Sequence, residues 1–319
     1  MTPPLSAFTG LDDVYDPQAL LSSAKYLKSH SANEQLGAGK TLVLLFFNPS
    51  LRTRLSTQKA AQALGMHVIS MNVGEGWKLE MEDGAVMRLD KAEHVRDAAA
   101  VIGQYADIIG VRSFPTLTDR DADYREAVIG AFRRYSGKPV LSLESATRHP
   151  LQALADWLTI SEHQRSTRPK VVLTWAPHPK ILPQAVANSF VTWMRMADVD
   201  LTVTHPPGVD LAPEMIKDTP VVHDQAEALA DADFVYAKNW SSYSNYGNTT
   251  EVAEAWQITE VKMRLTDNAY FMHCLPVRRN VVVSDGVLDG PRSLVLAQAN
   301  NRTHAAQAVL TGLLGVTIG

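Results

Sequence analysis

Cysteine is almost absent from this sequence, since Cys274 is the single one among 319 residues. One cysteine excludes an internal disulfide and any metal cluster built from several cysteines. No stretch approaches the roughly 20 apolar residues of a membrane-spanning helix. The first residues also lack the basic and then apolar segments of a secretory signal. We therefore expect a cytoplasmic protein that does not bind a membrane.

Basic charge is not in excess either. The formal net charge of −4 and the sequence pI near 6.2 argue against a surface for nucleic acid. The ten histidines include no His-Glu-x-x-His or similar spacing, so neither a metal nor another cofactor is predicted. Apolar residues make up 45% of the sequence, which supports large cores, and the length suits two domains of ordinary size.

Two glycine-containing segments imitate nucleotide-binding loops. Residues 37–41 (Gly-Ala-Gly-Lys-Thr) resemble the end of a P-loop, but Glu34 stands where that motif needs its first glycine. The pair Gly74 and Gly76 lacks the third glycine of a dinucleotide fingerprint, because Leu79 occupies that position. We therefore predict no nucleotide loop, and we interpret 37–41 as the turn into a strand.

Strands and helices alternate along the chain. Apolar runs predict strands at 41–47, 67–71, 107–113, 139–144, 170–175, 200–204, 220–222, 234–237 and 269–273. The periodic segments between them predict helices at 17–30, 51–64, 91–105, 122–135, 149–164, 184–197, 212–217, 224–231, 258–265 and 301–314. Such alternation is typical of doubly wound, mostly parallel sheets with helices on both faces. We predict two α/β domains, residues 1–148 and 149–300, with the last helix, 301–319, returning to the first domain.

A phosphate site is predicted at residues 50–54 (Ser-Leu-Arg-Thr-Arg). This segment follows the buried strand 41–47 and the turn at Asn48 and Pro49, and it begins a helix. The first turn of a helix offers free N–H groups and the positive end of the helix dipole, which together suit an anion. The planar guanidinium of arginine can bind two phosphate oxygens at once. A solvated basic helix start is the alternative.

Further polar residues follow the ends of predicted strands, where open α/β sheets bind ligands. These residues are Arg112, Glu144, His178, Lys238 and Arg278. Cys274 is a weak candidate nucleophile, because the adjacent His273 points to the opposite face of a strand. Ser50 lacks the Gly-x-Ser-x-Gly elbow of a hydrolase. The residues therefore favour an enzyme that acts on a small phosphorylated metabolite over a protein that only binds one.

Three segments together resemble the aspartate and ornithine transcarbamylases, in order and spacing over the whole chain. They are 47–54 (Phe-Asn-Pro-Ser-Leu-Arg-Thr-Arg), 149–152 (His-Pro-Leu-Gln) and 273–276 (His-Cys-Leu-Pro). Segments 76–80, 109–114, 174–179 and 236–240 are similar to the branch of that family that uses acylated ornithines, and the Ser-Met-Gly loop of the ornithine enzymes is absent. The resemblance implies the transcarbamylase-type fold, a homotrimer with shared sites, and a knot at the proline-rich loop 177–183.

The resemblance also implies a role for each matching residue. Carbamoyl phosphate would be bound by Ser50, Leu51, Arg52, Thr53, Trp77 of a neighbouring subunit, Arg112, His149, Gln152, Cys274, Leu275 and Arg302. Among these, Arg112, His149 and Thr53 would stabilise the charge that develops on the carbonyl oxygen. Cys274 and Leu275 would act through their backbone carbonyls, and a cis bond between Leu275 and Pro276 is expected. The acylated ornithine would be bound by Glu144, His178, Lys238, Arg278 and Ala92.

Position 92 is expected to choose the acyl group. In the family, acetylornithine enzymes carry glutamate there and the succinyl enzymes carry proline, whereas this chain has Ala92. Alanine leaves space and adds no negative charge, and Lys238 and Arg278 offer cations for a second carboxylate. The resemblance therefore implies N-succinyl-L-ornithine as the acceptor, carbamoylated in arginine biosynthesis. The alternatives are an N-acetylornithine enzyme and a non-catalytic phosphate-binding subunit, and Ala92 can also be an ordinary helix former.

Overall fold

The structure is a computed structural model, and it describes residues 4–30, 34–73, 77–248, 254–316 and 318. Its contacts divide the chain into two compact units. The first comprises Met1–Thr116, Asp121–Leu151 and Arg302–Gly319. The second comprises Leu117–Arg120 and Gln152–Asn301.

The first unit contains a four-stranded parallel sheet. Its strands, in spatial order, are β2 (His67–Asn72), β1 (Thr41–Phe46), β5 (Ile108–Arg112) and β6 (Val140–Glu144). A short parallel pair is formed by β3 (Leu79–Glu80) and β4 (Glu93–His94). The helices are α1 (Pro17–Ser29), α2 (Leu51–Ala63), α3 (Val95–Tyr105), α4 (Arg120–Tyr124) and α5 (Ala127–Tyr135).

The second unit contains a five-stranded parallel sheet. Its strands, in spatial order, are β11 (Tyr270–Met272), β10 (Phe234–Lys238), β7 (Lys170–Trp175), β8 (Asp200–Thr204) and β9 (Val221–Val222). The helices of this part are α7 (Ala185–Met194), α8 (Pro213–Ile216), α9 (Gln225–Leu229), α10 (Glu260–Met263) and α11 (Asp285–Leu288). Two longer helices, α6 (Pro150–His163) and α12 (Val295–Leu313), contribute to both units. The predicted α/β class with parallel sheets in two domains is confirmed.

Each core is centred on its sheet. In the first unit, apolar side chains of β1 and β5, such as Val43 and Ile109, form one cluster with apolar side chains of α3 and α5, such as Phe132. In the second, Val172 and Val235 lie in one cluster with Phe271. Strands buried on both faces carry near-continuous apolar runs. This is why the sequence predicted these strands with ends that differ from the observed ones by at most one residue.

The predicted helix 122–135 is wrong, because the chain breaks into α4 and α5. Glu126 lies between the two helices with φ 51° and ψ 43°, a left-handed conformation that no helix interior contains. The predicted helix 91–105 begins later, at Val95, because Glu93–His94 forms β4. The last helix begins at Val295, earlier than predicted. Asn301, a residue typical of helix starts, is instead buried inside that helix and donates to Thr159 Oγ1 at 2.9 Å.

The glycine-containing segment 37–41 is the turn into β1, as predicted. Lys40 Nζ donates to Asp107 Oδ1 at 3.1 Å, and the backbone N–H of Thr41 donates to Asp107 Oδ2 at 2.8 Å. The lysine therefore ties β1 to the chain before β5. The Gly74 and Gly76 pair lies outside the described residues. Among the helices of the described ranges, none is long and apolar enough to cross a membrane.

Candidate active site

The predicted phosphate turn is a capped helix start at the end of β1. Ser50 is the N-cap of α2, and its Oγ accepts from the backbone N–H of Thr53 at 3.3 Å. The first turn of α2 contains no acidic residue, so nothing in the turn opposes a bound anion. The helix is 13 residues long. Its free N–H groups and dipole therefore suit an anion, and the phosphate site stays a prediction.

A second guanidinium reaches this turn from the last helix of the chain. Arg302 on α12 is buried, and its Nη2 donates to Thr53 Oγ1 at 2.6 Å. Thr53 itself is only 1% exposed. The hydroxyl is therefore held in one orientation by a residue 249 positions away in the chain. Ser50, Thr53 and Arg302, all predicted to contact carbamoyl phosphate, lie together.

Arg54, the second arginine of the segment, has contacts of its own. Arg54 lies over the ring of Phe46, with its Cζ 4.2 Å from the centroid. Its guanidinium also donates to Ser70 Oγ at 2.8 Å and to Asn72 Oδ1. Arg54 therefore links α2 to the edge strand β2. Of the two, Arg52 is the arginine predicted to bind the phosphate.

A buried charged cluster lies at the ends of β5 and β6. Arg112 is the last residue of β5, and its Nη1 donates to Glu144 Oε2 at 2.5 Å. His149 Nε2 is 3.5 Å from the same carboxylate oxygen. The guanidinium carbon of Arg112 also lies 4.4 Å from the ring centroid of Phe114. Glu144, which was predicted to contact the acylated ornithine, thus sits with the two residues predicted to contact the carbamoyl group.

Trp77 and Ala92 lie at the short β3–β4 pair. Trp77 Nε1 donates to Glu93 Oε2 at 3.0 Å, and the N–H of Ala92 donates to the carbonyl of Lys78 at 2.9 Å. Ala92 is exposed. The residue predicted to reach a neighbouring subunit and the residue predicted to choose the acyl group therefore occupy one local structure.

In the second unit, side chains hold the backbone of segment 273–275. The N–H of His273 donates to Gln298 Oε1 at 3.0 Å, and the N–H of Leu275 donates to His273 Nδ1 at 2.9 Å. The bond between Leu275 and Pro276 is cis, as predicted. Cys274 is buried. The His273 ring is used to hold the chain, which agrees with a backbone role for Cys274 and Leu275.

One buried carboxylate, that of Asp156, contacts both Gln152 and Gln298. Asp156 on α6 is fully buried, and its Oδ1 accepts from Gln152 Nε2 at 2.7 Å and from Gln298 Nε2 at 2.6 Å.

Burial raises the pKa of Tyr236 well above its ordinary value, and the neighbouring Asp156 carboxylate and Cys274 raise it further. The tyrosine is therefore a neutral phenol.

The sequence reasoning missed both Asp156 and Gln298. The available signal for Asp156 was a lone acid in the apolar segment 153–160, four residues after Gln152 and so on the same helix face. No local signal singles out Gln298.

Two cations and a histidine form the predicted acceptor side. Lys238 is buried at the end of β10, where its Nζ donates to the carbonyl of Asn239 at 2.9 Å. Burial lowers the pKa of His178, and the positive charges of Lys238 and Arg278 lower it further. A neutral imidazole beside two fixed positive charges suits an anionic ligand. A small cavity of about 40 Å³ lies beside His178, lined also by Trp175 and Trp240.

No group of three or more potential metal ligands (His, Cys, Asp or Glu) occurs among the residues that the structure describes. The chemistry of the site is therefore argued from arginine, lysine, histidine, hydroxyl and backbone groups. Each unit brings together its own part of the predicted set. The phosphate turn and the charged cluster lie in the first, and the cations and segment 273–275 lie in the second.

Comparison with known proteins matches almost the whole chain. Residues 8–162 match the carbamoyl-P binding domain, and residues 183–313 the Asp/Orn binding domain, of aspartate/ornithine carbamoyltransferase. The N-succinylornithine carbamoyltransferase of Bacteroides thetaiotaomicron is 49% identical over 314 residues, which cover 97% of this chain and 99% of the relative. The N-acetylornithine carbamoyltransferase of Xylella fastidiosa is 38% identical, with 92% and 94% covered.

A solved structure agrees in fold. An N-acetyl-L-ornithine transcarbamylase in which one glutamate is replaced by alanine, complexed with carbamyl phosphate and N-succinyl-L-norvaline, matches with a TM-score of 0.91. It is 36% identical, and the match covers 96% of this chain and 99% of that one. The sequence motifs, the two parallel sheets and these relatives agree, and the chain belongs to the aspartate/ornithine carbamoyltransferase family.

Proposed function

We propose that this protein transfers the carbamoyl group of carbamoyl phosphate to the side-chain amine of N-succinyl-L-ornithine, giving N-succinyl-L-citrulline and phosphate. The observation that carries the proposal is the 49% identity to the Bacteroides N-succinylornithine carbamoyltransferase over 97% of the chain, against 38% to the Xylella N-acetylornithine enzyme. The reaction places the protein in cytoplasmic arginine biosynthesis. Residues 1–148 bind carbamoyl phosphate and residues 149–300 bind the acylated ornithine.

The phosphate end of the donor substrate is assigned to the start of α2. Ser50, Arg52 and Thr53 bind the phosphate with the N–H groups of the first turn, including that of Leu51. Arg302, which donates to Thr53 Oγ1, keeps this hydroxyl in place. Positive charge and fixed N–H donors stabilise the leaving phosphate as its negative charge grows.

The carbamoyl end is assigned to the charged cluster and to segment 273–275. Arg112, His149 and Thr53 stabilise negative charge on the carbonyl oxygen. Gln152 and the carbonyls of Cys274 and Leu275 accept or orient the amine groups. The carbonyls accept from N–H groups, and the fixed donors bind the oxyanion. The site can therefore distinguish the nitrogen of the carbamoyl group from its oxygen.

The attacking amine must be neutral. An alkyl ammonium has a reference pKa near 10, so one proton leaves before attack. The nitrogen then forms a bond to the carbamoyl carbon, the bond from that carbon to the phosphate oxygen breaks, and a second proton leaves the new ureido nitrogen. Glu144, His178, Lys238 and Arg278 hold the acylated amino acid during this step. Lys238 and Arg278 supply the positive charges.

Position 92 supports the succinyl assignment. The family resemblance assigns glutamate to acetylornithine enzymes at the position of Ala92. The solved acetylornithine enzyme with a glutamate replaced by alanine is complexed with N-succinyl-L-norvaline, so loss of a glutamate is compatible with a succinylated ligand there. In this chain Ala92 is exposed beside the backbone of Lys78, where it adds no negative charge that would repel the succinyl carboxylate.

We also propose a homotrimer with shared sites, in which Trp77 contacts the substrate bound to a neighbouring copy. Support comes from apolar side chains on α2 and on the edge strand β2. Leu51 is 67% exposed and Leu55 57%, while Ile69 is 45% and Met71 40% exposed. Large apolar side chains left exposed on these two elements are candidates for such an interface. A mass of about three times 35.0 kDa in sedimentation equilibrium tests this proposal. The knot at loop 177–183 stays a prediction.

The test of the proposed function is a panel of acceptors assayed with carbamoyl phosphate. We expect N-succinyl-L-ornithine to be carbamoylated with the highest kcat/KM, N-acetyl-L-ornithine to react weakly and L-ornithine weakest of all. The reason is that only the succinyl group adds a carboxylate for Lys238 and Arg278. A colorimetric assay of the ureido product measures all three. Faster turnover of the acetyl substrate would reject the succinyl assignment, and binding of carbamoyl phosphate without turnover of any acceptor would indicate a non-catalytic subunit.

The same panel measured on Ala92→Glu tests position 92. The new carboxylate is expected to repel the succinyl carboxylate, at a cost of about 1–3 kcal/mol, which corresponds to roughly a 5- to 150-fold change in preference toward the acetyl substrate. Ala92→Gln adds the same bulk without the charge and is the matched control. An unchanged ratio of the two kcat/KM values in Ala92→Glu would show that this position does not select the acyl group.

A further inference from the structure

Glu126 adopts a backbone conformation that glutamate rarely occupies. It lies between α4 and α5 with φ 51° and ψ 43°, in the left-handed region. Only glycine visits this region routinely, and asparagine and aspartate do so because their short side chains can bond the local backbone. Glutamate has neither property. Its conformation therefore has to be maintained by interactions elsewhere in the fold.

Those interactions are hydrogen bonds from one loop. Glu126 Oε1 accepts from Ser145 Oγ at 2.6 Å, from Thr147 Oγ1 at 2.6 Å and from the N–H of Thr147 at 2.8 Å. Oε2 accepts from the N–H of Ala146 at 3.2 Å. A single carboxylate thus binds three successive residues of a loop that is about 20 positions away in the chain.

The loop connects two members of the buried charged cluster. Glu144 precedes it at the end of β6, and His149 follows it directly before α6. Within the loop, the N–H of Ser145 donates to the carbonyl of Arg148 at 2.7 Å, and the N–H of Arg148 donates to Ser145 Oγ at 3.1 Å. The same Ser145 hydroxyl donates to Glu126. Displacement of this turn would move both ends, and with them the carboxylate that Arg112 and His149 contact.

We propose that Glu126 is a positioning residue for carbamoyl transfer. Its carboxylate fixes the turn 145–148, which connects Glu144 to His149. The Glu144 carboxylate then holds Arg112, and the His149 imidazole stays in the position that the transition state requires. The inference rests on the proposed function for the reaction that it affects. A merely structural anchor would support stability, whereas a positioning residue supports kcat at the expense of local backbone strain.

Two substitutions separate these roles. Glu126→Gly relieves the left-handed strain and removes the carboxylate, so we expect kcat to fall by about 100-fold, while the relaxed backbone offsets part of the stability lost with the four hydrogen bonds. Glu126→Gln keeps the strain and one carbonyl oxygen, which has lone pairs for two of the three bonds now made to Oε1. We therefore expect its kcat to fall by only about 3- to 10-fold, between the wild type and the glycine variant. A purely structural anchor would lower the melting temperature of both variants and leave the kcat of the folded enzyme unchanged.

Three measurements make the test decisive. The first is kcat and KM for both substrates, where we expect the loss in kcat to exceed the change in either KM. The second is the melting temperature, and the third is the NMR titration of the His149 imidazole, which needs no acceptor. Asp231→Gly is the control, because Asp231 also has a positive φ, 56°, and is exposed, so relief of its strain should leave kcat unchanged.

The possible results distinguish failure of the positioning role of Glu126 from failure of the proposed function. If the wild type turns over no acceptor, the proposed function fails, and the His149 titration still shows whether Glu126 positions that ring. If the wild type is active and Glu126→Gly keeps kcat within about twofold, or if the His149 signal is unchanged in both variants, the positioning role is rejected. If Glu126→Gly does not fold, an active and stable Glu126→Gln with unchanged kcat rejects it equally.

Discussion

Arg112→Met is expected to lower kcat/KM for carbamoyl transfer by about 10³-fold, the upper range for removing one donor that stabilises a developing oxyanion. The guanidinium is the fixed positive charge of the buried cluster, 7% exposed beside a Glu144 side chain that is 9% exposed. In such a water-poor site the charge acts with little screening. Because the interaction grows in the transition state, the loss should appear mainly in kcat. Steady-state kinetics with both substrates varied measures it.

The same substitution has a second consequence, for stability. Methionine leaves the Glu144 carboxylate buried without its cation, which typically destabilises a fold by about 3–5 kcal/mol. The double variant Arg112→Met/Glu144→Gln removes the stranded charge and should recover most of this stability, as measured by urea unfolding. It should not recover activity. Recovery of both in the double variant would show that Arg112 only neutralises Glu144 and does not act on the substrate.

The sequence made the sheets predictable because buried parallel strands leave a strong local signal. The apolar runs 41–46 and 170–175 are buried strands, and each is followed within three residues by a proline, Pro49 or Pro177. The break between α4 and α5 was not predictable in this way. Residues 120–135 contain no proline, and the conformation of Glu126 depends on bonds from Ser145 and Thr147. A local pattern cannot show a contact across about 20 residues.

The residues of the site likewise include some that the sequence could predict and some that it could not. The helix that begins at Leu51 and the place of Arg112 at a strand end follow from the order of apolar and polar residues, and both are found as predicted. Gln298 is different, because it donates to Asp156 from 142 positions away. A glutamine on a helix carries no mark of a buried partner, so only the three-dimensional structure reveals it. The roles of the predicted residues were supplied by the family motifs, and they stay predictions until kinetics test them.

The two arginines of the phosphate turn give the last prediction, because Arg54 is held by contacts of its own, whereas Arg52 is the one predicted to bind the phosphate. Arg52→Gln is expected to raise the KM for carbamoyl phosphate by roughly 100-fold, since a charge-assisted bond is worth about 1.5–3 kcal/mol and each 1.4 kcal/mol is a factor of ten. The inhibition constant of inorganic phosphate should rise in parallel, because the product phosphate occupies the same turn. Initial rates at saturating acceptor measure both constants.

Arg54→Gln is the matched control, with the same change in charge and side chain two residues further along α2. Arg54 already donates to Ser70 and Asn72 and lies over Phe46, so its replacement should change the KM for carbamoyl phosphate by no more than about twofold, as for a substitution away from the site. If both variants lose affinity equally, the effect comes from the overall positive potential near the turn, and high salt should weaken the wild type to the same degree. If only Arg52→Gln loses affinity, the phosphate is bound by one oriented guanidinium together with the N–H groups that Ser50 and the helix geometry fix. That second result is the one the structure predicts.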